Sequence, residues 1–212
     1  MRDYLTAMLM IVAALTYGCA DPAANKTKAT VSNAQSEANT SKPSGAEKLV
    51  ITPENSKVEF VAAKVTRGHN GSFKQFAGTI DLAPNSIEAS QVTIDIDTGS
   101  VLTDEDALTA HLKTPDFFDV AKFPKATFVS TKIEPGNKAS TTHEVTGNFD
   151  LHGVKKSITF PATIHVTPEN ATVDAEFSIN RKDFGIVYAG KADDLIRDGV
   201  VIKLTINVPR RP

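Results

Sequence analysis

The closing stretch of the chain, Gly199 to Val208, alternates with a strict period of two. Val200, Ile202, Leu204, Ile206 and Val208 share one face, while Val201, Lys203, Thr205 and Asn207 share the other. Successive side chains of an extended strand point to opposite sides, so a single apolar face marks a half-buried antiparallel strand. The pattern recurs upstream. Ile158, Phe160, Ala162, Ile164 and Val166 oppose Thr159, Pro161, Thr163 and His165; Val173, Ala175, Phe177 and Ile179 form another face, and Val92, Ile94 and Ile96 a third. Turn-forming residues separate the runs: Asn70-Gly71, Ala83-Pro84-Asn85, Pro135-Gly136-Asn137, Pro168-Glu169-Asn170 and Asp198-Gly199. Asn-Gly and Asp-Gly favour the positive φ of tight hairpins. Roughly eight strands result, which suits an all-β sandwich or a small antiparallel up-and-down barrel. No run repeats at a fixed period, which argues against a solenoid or propeller.

One segment breaks the pattern. TDEDALTAHL predicts a short helix with Thr103 as N-cap and Asp106 in a capping box. Asp104 and Glu105 suit the positive end of its dipole. Leu108 and Leu112 share a face, and Lys113-Thr114-Pro115 ends it. HLKTPDFFDVAKFP follows, with Phe117, Phe118 and Phe123 among charges and two prolines. So much aromatic surface in a loop fits a plug of core, a lid over an apolar cavity, or a catalytic or metal-binding loop.

The N-terminus reads as an address. MRDYLTAMLMIVAALTYGCA has Arg2, an apolar run from Leu5 to about Leu15, and then Gly18-Cys19. That run is shorter than the ~20 apolar residues of a membrane-spanning helix and has the layout of an export signal. The segment resembles a bacterial lipoprotein signal. Residues 1–18 are expected to be removed and Cys19 to be lipidated, giving an exported, periplasmic or cell-envelope protein held on a membrane. The competing reading is a plain secretory signal with an incidental cysteine. Cys19 is the only cysteine, so no internal disulfide framework exists. Residues 19–47 are rich in Ala, Ser, Thr, Asn and Lys and carry no aromatic residue, which predicts a flexible tether to a domain over residues 48–212. The formal charge of −2 gives no electrostatic reason to expect nucleic acid.

Catalytic constellations are sparse. The chain has no G-x-S-x-G elbow and no H-E-x-x-H spacing. His165 alternates outward and His69 falls in an expected hairpin turn, so both read as solvated. His111, Asp116 and Asp119 have metal-ligating side chains, although such residues at a helix end usually serve as caps and surface charges. In INRKDFGIVY, Arg181 and Asp183 fit an ion pair bracing a corner at Gly185, or polar groups at a cavity mouth beside Phe184 and Tyr188. Phe60, Phe128, Phe149, Phe160 and Phe177 fall on inward faces. An eight-stranded interior is either just filled by such side chains or holds one small ligand.

The order of these blocks resembles the YceI family of exported lipid-binding proteins. The resemblance is carried by HLKTPDFFDVAKFPKATFVST (111–131), VTGNFDLHGVKKSITF (145–160), FSINRKDFGI (177–186), GSFKQFAGTIDL (71–82) and the closing strand. It implies a lipocalin-like barrel with a long apolar channel, closed at one end by the helical insertion. It also implies an amphiphilic ligand, such as a polyprenyl or quinone-type lipid, with no other cofactor and no enzymatic activity. Phe117, Phe118 and Phe123 would lie near the opening. Arg181, Asp183 and Phe184 match the family's R-x-D-F-G motif, and His152 matches its L-H-G turn. The rival readings are an enzyme acting on such a lipid through His111, Asp119 or Arg181, and a filled structural domain. A homodimer is compatible with either.

Overall fold

The computed structural model describes residues 20–36, 42–136 and 141–210. The export segment, Cys19 and part of the expected tether lie outside the described residues.

β1 (Thr30–Asn33) precedes the main sheet. Residues 47–103 then form three extended runs, each broken once. They are β2 (Glu47–Ile51) with β3 (Ser56–Ala63), β4 (Gly68–Phe73) with β5 (Phe76–Leu82), and β6 (Gln91–Asp97) with β7 (Val101–Thr103). Halves of one run pair with the neighbouring run: β2 with β5, β3 with β4, β5 with β6, β4 with β7. After helix α1 (Asp106–Leu112) come the long strands β8 (Lys125–Pro135), β9 (His143–Leu151), β10 (Val154–Val166) and β11 (Asn170–Asn180). β12 (Gly190–Lys191) and β13 (Asp194–Leu195) make a separate ribbon, and β14 (Gly199–Pro209) closes the chain. The sheet runs β2-β5-β6-β8-β9-β10-β11-β14-β3-β4-β7, with β1 attached to β10. It curls until β14 lies against β3, from Val201↔Val61 to Ile206↔Ser56.

The expected count of eight strands is therefore corrected to twelve in the curled antiparallel sheet, plus the two-stranded ribbon. The difference comes from the bends. Asn55 replaces lost ladder bonds at the first, accepting from Thr52 N at 3.0 Å and donating to Val50 O at 3.0 Å. Ser100 acts likewise at the second and third, accepting from Gln75 N at 3.0 Å and donating to Asp97 O at 2.7 Å. Side chains that satisfy backbone groups let a strand bend with its polar groups still paired.

Three local expectations change. Asn70-Gly71 is not a turn but the middle of β4, and His69 beside it is buried at 5% exposure rather than solvated. Gly71 is there because a Cβ would lie 2.1 Å from the Phe60 ring. Thr103 does not cap α1: the N-cap is Glu105, without a side-chain cap bond. Thr103 ends β7, and its N–H donates to Thr109 Oγ1 at 2.9 Å, tying the helix to the strand.

The described start of the expected tether, residues 20–36, is fastened to the sheet. β10 pairs with β9 from Val154 to Ala162 but with β11 only from Thr163 to Val166. Between the diverging edges, β1 pairs with β10 from Thr30↔Thr159 to Asn33↔Lys156. On the β11 side, Ala29 N donates to Ser178 O at 2.8 Å and Ser178 N to Thr27 O at 2.9 Å. The segment fills a seam in the wall, and Ala29 is buried at 3%. An aspartate at position 29 would have to be buried there without a partner, so Ala29→Asp is expected to cost about 2–3 kcal/mol. Urea unfolding would read it as a lower midpoint at unchanged slope. An unaltered midpoint would mean that the segment peels off independently.

Candidate functional site

The inward faces enclose unfilled space in three connected chambers. Apart from Glu59 the lining of the innermost is wholly apolar. Its walls come from β3, β4, β6, β8, β9, β10, β11 and β14, with alternate residues on several strands, as in Ile202, Leu204 and Ile206. A middle chamber shares Phe73, Ile96, Phe149, Ile179 and Ile202 with it. An outer chamber shares Phe60, Ala62, Leu112, Phe117 and Ile196 with the middle one, and adds Lys64, His69, His111, Tyr188, Lys191 and Asp194. The series is a tunnel, apolar at depth and polar at its mouth.

Two glycines keep the bore open. Phe60 lies across Gly71, and Phe128 across Gly147, where a Cβ would meet its ring at 2.4 Å. Each ring therefore lies along the wall, where a larger residue would push it into the tunnel. Phe160 and Phe177 stack at 4.2 Å and 13°. Phe128 packs on Phe160 at 5.7 Å.

The aromatic loop covers the middle chamber. Its backbone folds on itself, with Phe118 N donating to Leu112 O at 3.0 Å and Asp119 N to Thr114 O at 2.9 Å. Phe118 meets Phe73 edge-on at 5.7 Å, and Phe73 continues to Phe60 at 5.8 Å. Phe117 is buried, and with His111 and Tyr188 it forms a cluster at the mouth, with ring centroids 4.9–5.4 Å apart. Phe118→Asp places a charge in the lid where no partner waits. It is expected to reduce retention of a hydrocarbon ligand at least about tenfold, read by fluorescent-lipid binding, with the far-ultraviolet β spectrum kept. Unchanged retention would remove the lid role.

The expected site residues separate into two groups. Phe60, Phe117, Phe118, Phe128, Phe149, Phe160 and Phe177 line the tunnel. Phe123, His152, Asp183 and Phe184 do not line these chambers. Phe123 packs on His152 at 4.8 Å and covers Gly153. His152 (φ 55°) and Gly153 (φ 73°) form the positive-φ turn joining β9 to β10. Phe184, with no exposed surface, backs Phe149 from behind at 5.2 Å. Asp183 faces a shallow outer hollow beside Val31 and Lys156.

Arg181 borders the middle chamber, but its charged end points into the corner. Nη1 donates to Ile186 O at 2.7 Å, Nε to Arg197 O at 3.1 Å, and Nη2 to Ile196 O at 3.4 Å and Asp198 Oδ1 at 3.2 Å. The expected Arg-Asp brace is thus made with Asp198, not Asp183. Burial lowers the Arg181 pKa, and Asp198 partly offsets this. Gly185 (φ 75°) lets the chain turn out of this corner.

At the mouth, His69 Nδ1 lies 2.9 Å from Asp104 Oδ1. This hydrogen bond holds the Asp104 carboxyl below the ordinary carboxylate range. His111 Nε2 lies 2.8 Å from Asp116 Oδ2. Among the described residues, no group of three or more His, Cys, Asp or Glu side chains is placed to hold a metal ion. The sequence reading missed Phe73 and the mouth role of His69, whereas Tyr188 lies at the mouth as one of its two readings of that stretch had it. Phe73 was legible, because 69, 71 and 73 share a face once Gly71 is read as strand.

The domain has known relatives. The profile of the YceI-like domain matches residues 49–208. A Pseudomonas putida (strain W619) protein described as UPF0312 is 36% identical over 123 residues, 55% of this chain and 63% of that protein. The chain thus spans under two thirds of that relative's length. Among solved structures, Burkholderia cenocepacia BcnA superposes with a TM-score of 0.66 at 25% identity, covering 74% of this chain and 98% of BcnA. A polyisoprenoid binding domain from Saccharophagus degradans gives 0.60 at 18% identity, covering 78% of this chain and 99% of that domain. At that identity the likeness speaks for the fold.

Proposed function

Because the chain belongs to the YceI-like family, we propose that it binds a long-chain, isoprenoid-type amphiphile in its tunnel and sequesters or carries it. The observation that carries this reading is the apolar lining from Phe118 to Ile206, in which Glu59 and Arg181 are the only charged residues. Removing hydrocarbon from water is worth about 25 cal/mol per Å², so a lined bore needs few polar contacts to hold a chain. The polyisoprenoid-binding description of the Saccharophagus degradans neighbour supports the same ligand class. Arg181 spends its donors on the carbonyls of Ile186, Ile196 and Arg197 and on Asp198, which favours a bracing role for it over acid-base chemistry. Native mass spectrometry after mild extraction tests the reading. A copurifying amphiphile released intact supports carriage. Its chemical conversion supports an enzyme, and repeated absence with no uptake of added polyprenol supports a filled domain.

The reading includes export and a membrane anchor at Cys19, supported by the Gly18-Cys19 pair after the apolar run. Metabolic labelling with palmitate is expected to mark the wild type and not Cys19→Ser. Equal labelling of both would remove the anchor.

A further inference from the structure

The described residues include five large apolar side chains that are well exposed: Val50, Val65, Leu102, Val187 and Leu195. Three of them sit together at the tunnel mouth. Val65 N donates to Leu195 O at 3.0 Å, joining the loop after β3 to the β12–β13 ribbon, and Ile196 N donates to Ala189 O at 2.9 Å, joining that ribbon to the segment carrying Val187. Inward and outward residues alternate along these loops. Tyr188 and Ile196 line the outer chamber, while their neighbours Val187 and Leu195 are 64% and 48% exposed. Exposed apolar side chains scattered singly need no explanation, whereas a cluster around an opening does.

Several charges around this rim are paired within the protein. Lys64 Nζ lies 2.7 Å from Asp194, Arg67 3.6 Å from Glu105, and Lys182 2.9 Å from Asp198. Lys191 and Asp193, both exposed on the ribbon, are opposite in sign. A rim of balanced charges around apolar tips offers little to a strongly charged partner. It suits the uncharged interface of a zwitterionic bilayer, into which short apolar side chains insert. The path of the N-terminal segment points the same way. Going toward the N-terminus, it leaves β1 and passes Ala23, against which a Cβ on Gly199 would lie at 2.8 Å. It reaches Asp21, 3.7 Å from Arg197, two residues beyond Leu195. Asp21, two positions after Cys19 in the sequence, thus lies beside this rim.

We propose that the rim formed by Val65, Val187 and Leu195 docks on a zwitterionic lipid bilayer, presenting the tunnel mouth to the membrane surface. This rests on the carrier reading for its purpose, since it assigns the route by which an amphiphile enters without crossing water. Docking itself is measured without cargo, so the two can fail separately.

The chain contains no tryptophan, so a single introduced indole reports its own position. Full-length Val187→Trp and Val50→Trp would each be mixed with phosphatidylcholine vesicles containing a lipid-borne quencher. Position 50 is also exposed but lies on β2, away from the mouth-lining loops. Quenching at position 187 is expected to exceed that at position 50 by about fivefold. Adding Val65→Ser and Leu195→Ser should bring the ratio close to one, and 0.5 M salt, a concentration that screens surface charge on the order of a few ångströms, should leave it unchanged. Equal quenching at the two positions, or a ratio indifferent to the serines, would overturn the proposal. So would a signal seen only with anionic vesicles, or a position-187 shift that appears without vesicles and grows with protein concentration, which would mark self-association.

Discussion

Arg181→Met is expected to lower the free energy of unfolding by about 3–5 kcal/mol. Arg181 is 4% exposed, and its guanidinium supplies hydrogen bonds to the carbonyls of Ile186, Ile196 and Arg197. Methionine fills a similar volume but donates nothing, so these acceptors lose their partner in a place water does not reach readily. Each such loss costs about 1–3 kcal/mol, less when neighbours relax together. The effect should appear as a lower urea midpoint, and Arg181→Lys should recover only part of it because one ammonium cannot reach all three carbonyls. A change below about 1 kcal/mol would mean that the corner is held by its backbone alone. In that case Arg181 would be free for a ligand role.

The second large effect is on binding rather than folding. Ile202 lies where the inner and middle chambers join, so Ile202→Trp should stop the bore with little damage to the wall. Space already exists there, so the usual overpacking cost of about 1–3 kcal/mol should fall at the low end. A hydrocarbon chain shut out of the inner chamber loses about 0.8 kcal/mol per methylene left in water. Excluding about four of them weakens binding roughly 100-fold or more. Titration with a fluorescent long-chain lipid measures this, and a short-chain analogue should bind almost as before. Equal weakening for long and short chains would place the ligand somewhere other than the tunnel.

The residues that built these expectations were unequally legible. The faces of β10, β11 and β14 could be read directly, because period-two alternation is a local property. The inward set Phe60, Phe128, Phe149, Phe160 and Phe177 followed from it. Strand boundaries were poorly legible at the bends: Lys74-Gln75 carries no glycine or proline, and Pro53 and Gly99 mark the other two breaks without showing that Asn55 and Ser100 take over the missing ladder bonds. Asn70-Gly71 misled for a related reason. The dipeptide favours a turn in isolation, yet here Gly71 exists to admit the ring of Phe60 from the next strand. That requirement is set across the sheet and is invisible to a window along the chain.

Partners distant in sequence were equally hidden. The carbonyls and carboxylate that hold Arg181 come from 186, 196, 197 and 198, whereas the adjacent Asp183 drew attention by proximity alone. The N-terminal segment reads as a tether because Ala, Ser, Thr and Asn cannot build a core of their own. Its described part instead borrows one, slotting Ala29 between β10 and β11, where the edges diverge. The lid was legible as an anomaly, since three phenylalanines in a polar loop demanded a buried destination. Two of them, Phe117 and Phe118, reach the tunnel, while Phe123 is spent on the turn at His152 and Gly153.

The hollow interior itself can be seen most directly by growing crystals with a long polyprenol and examining the space between Phe118 and Ile206. Continuous density threading from the middle chamber past Ile202 into the inner one is the expected result. Density absent from the bore, with Phe73, Phe149 and Ile202 collapsed onto one another across it, would contradict the account.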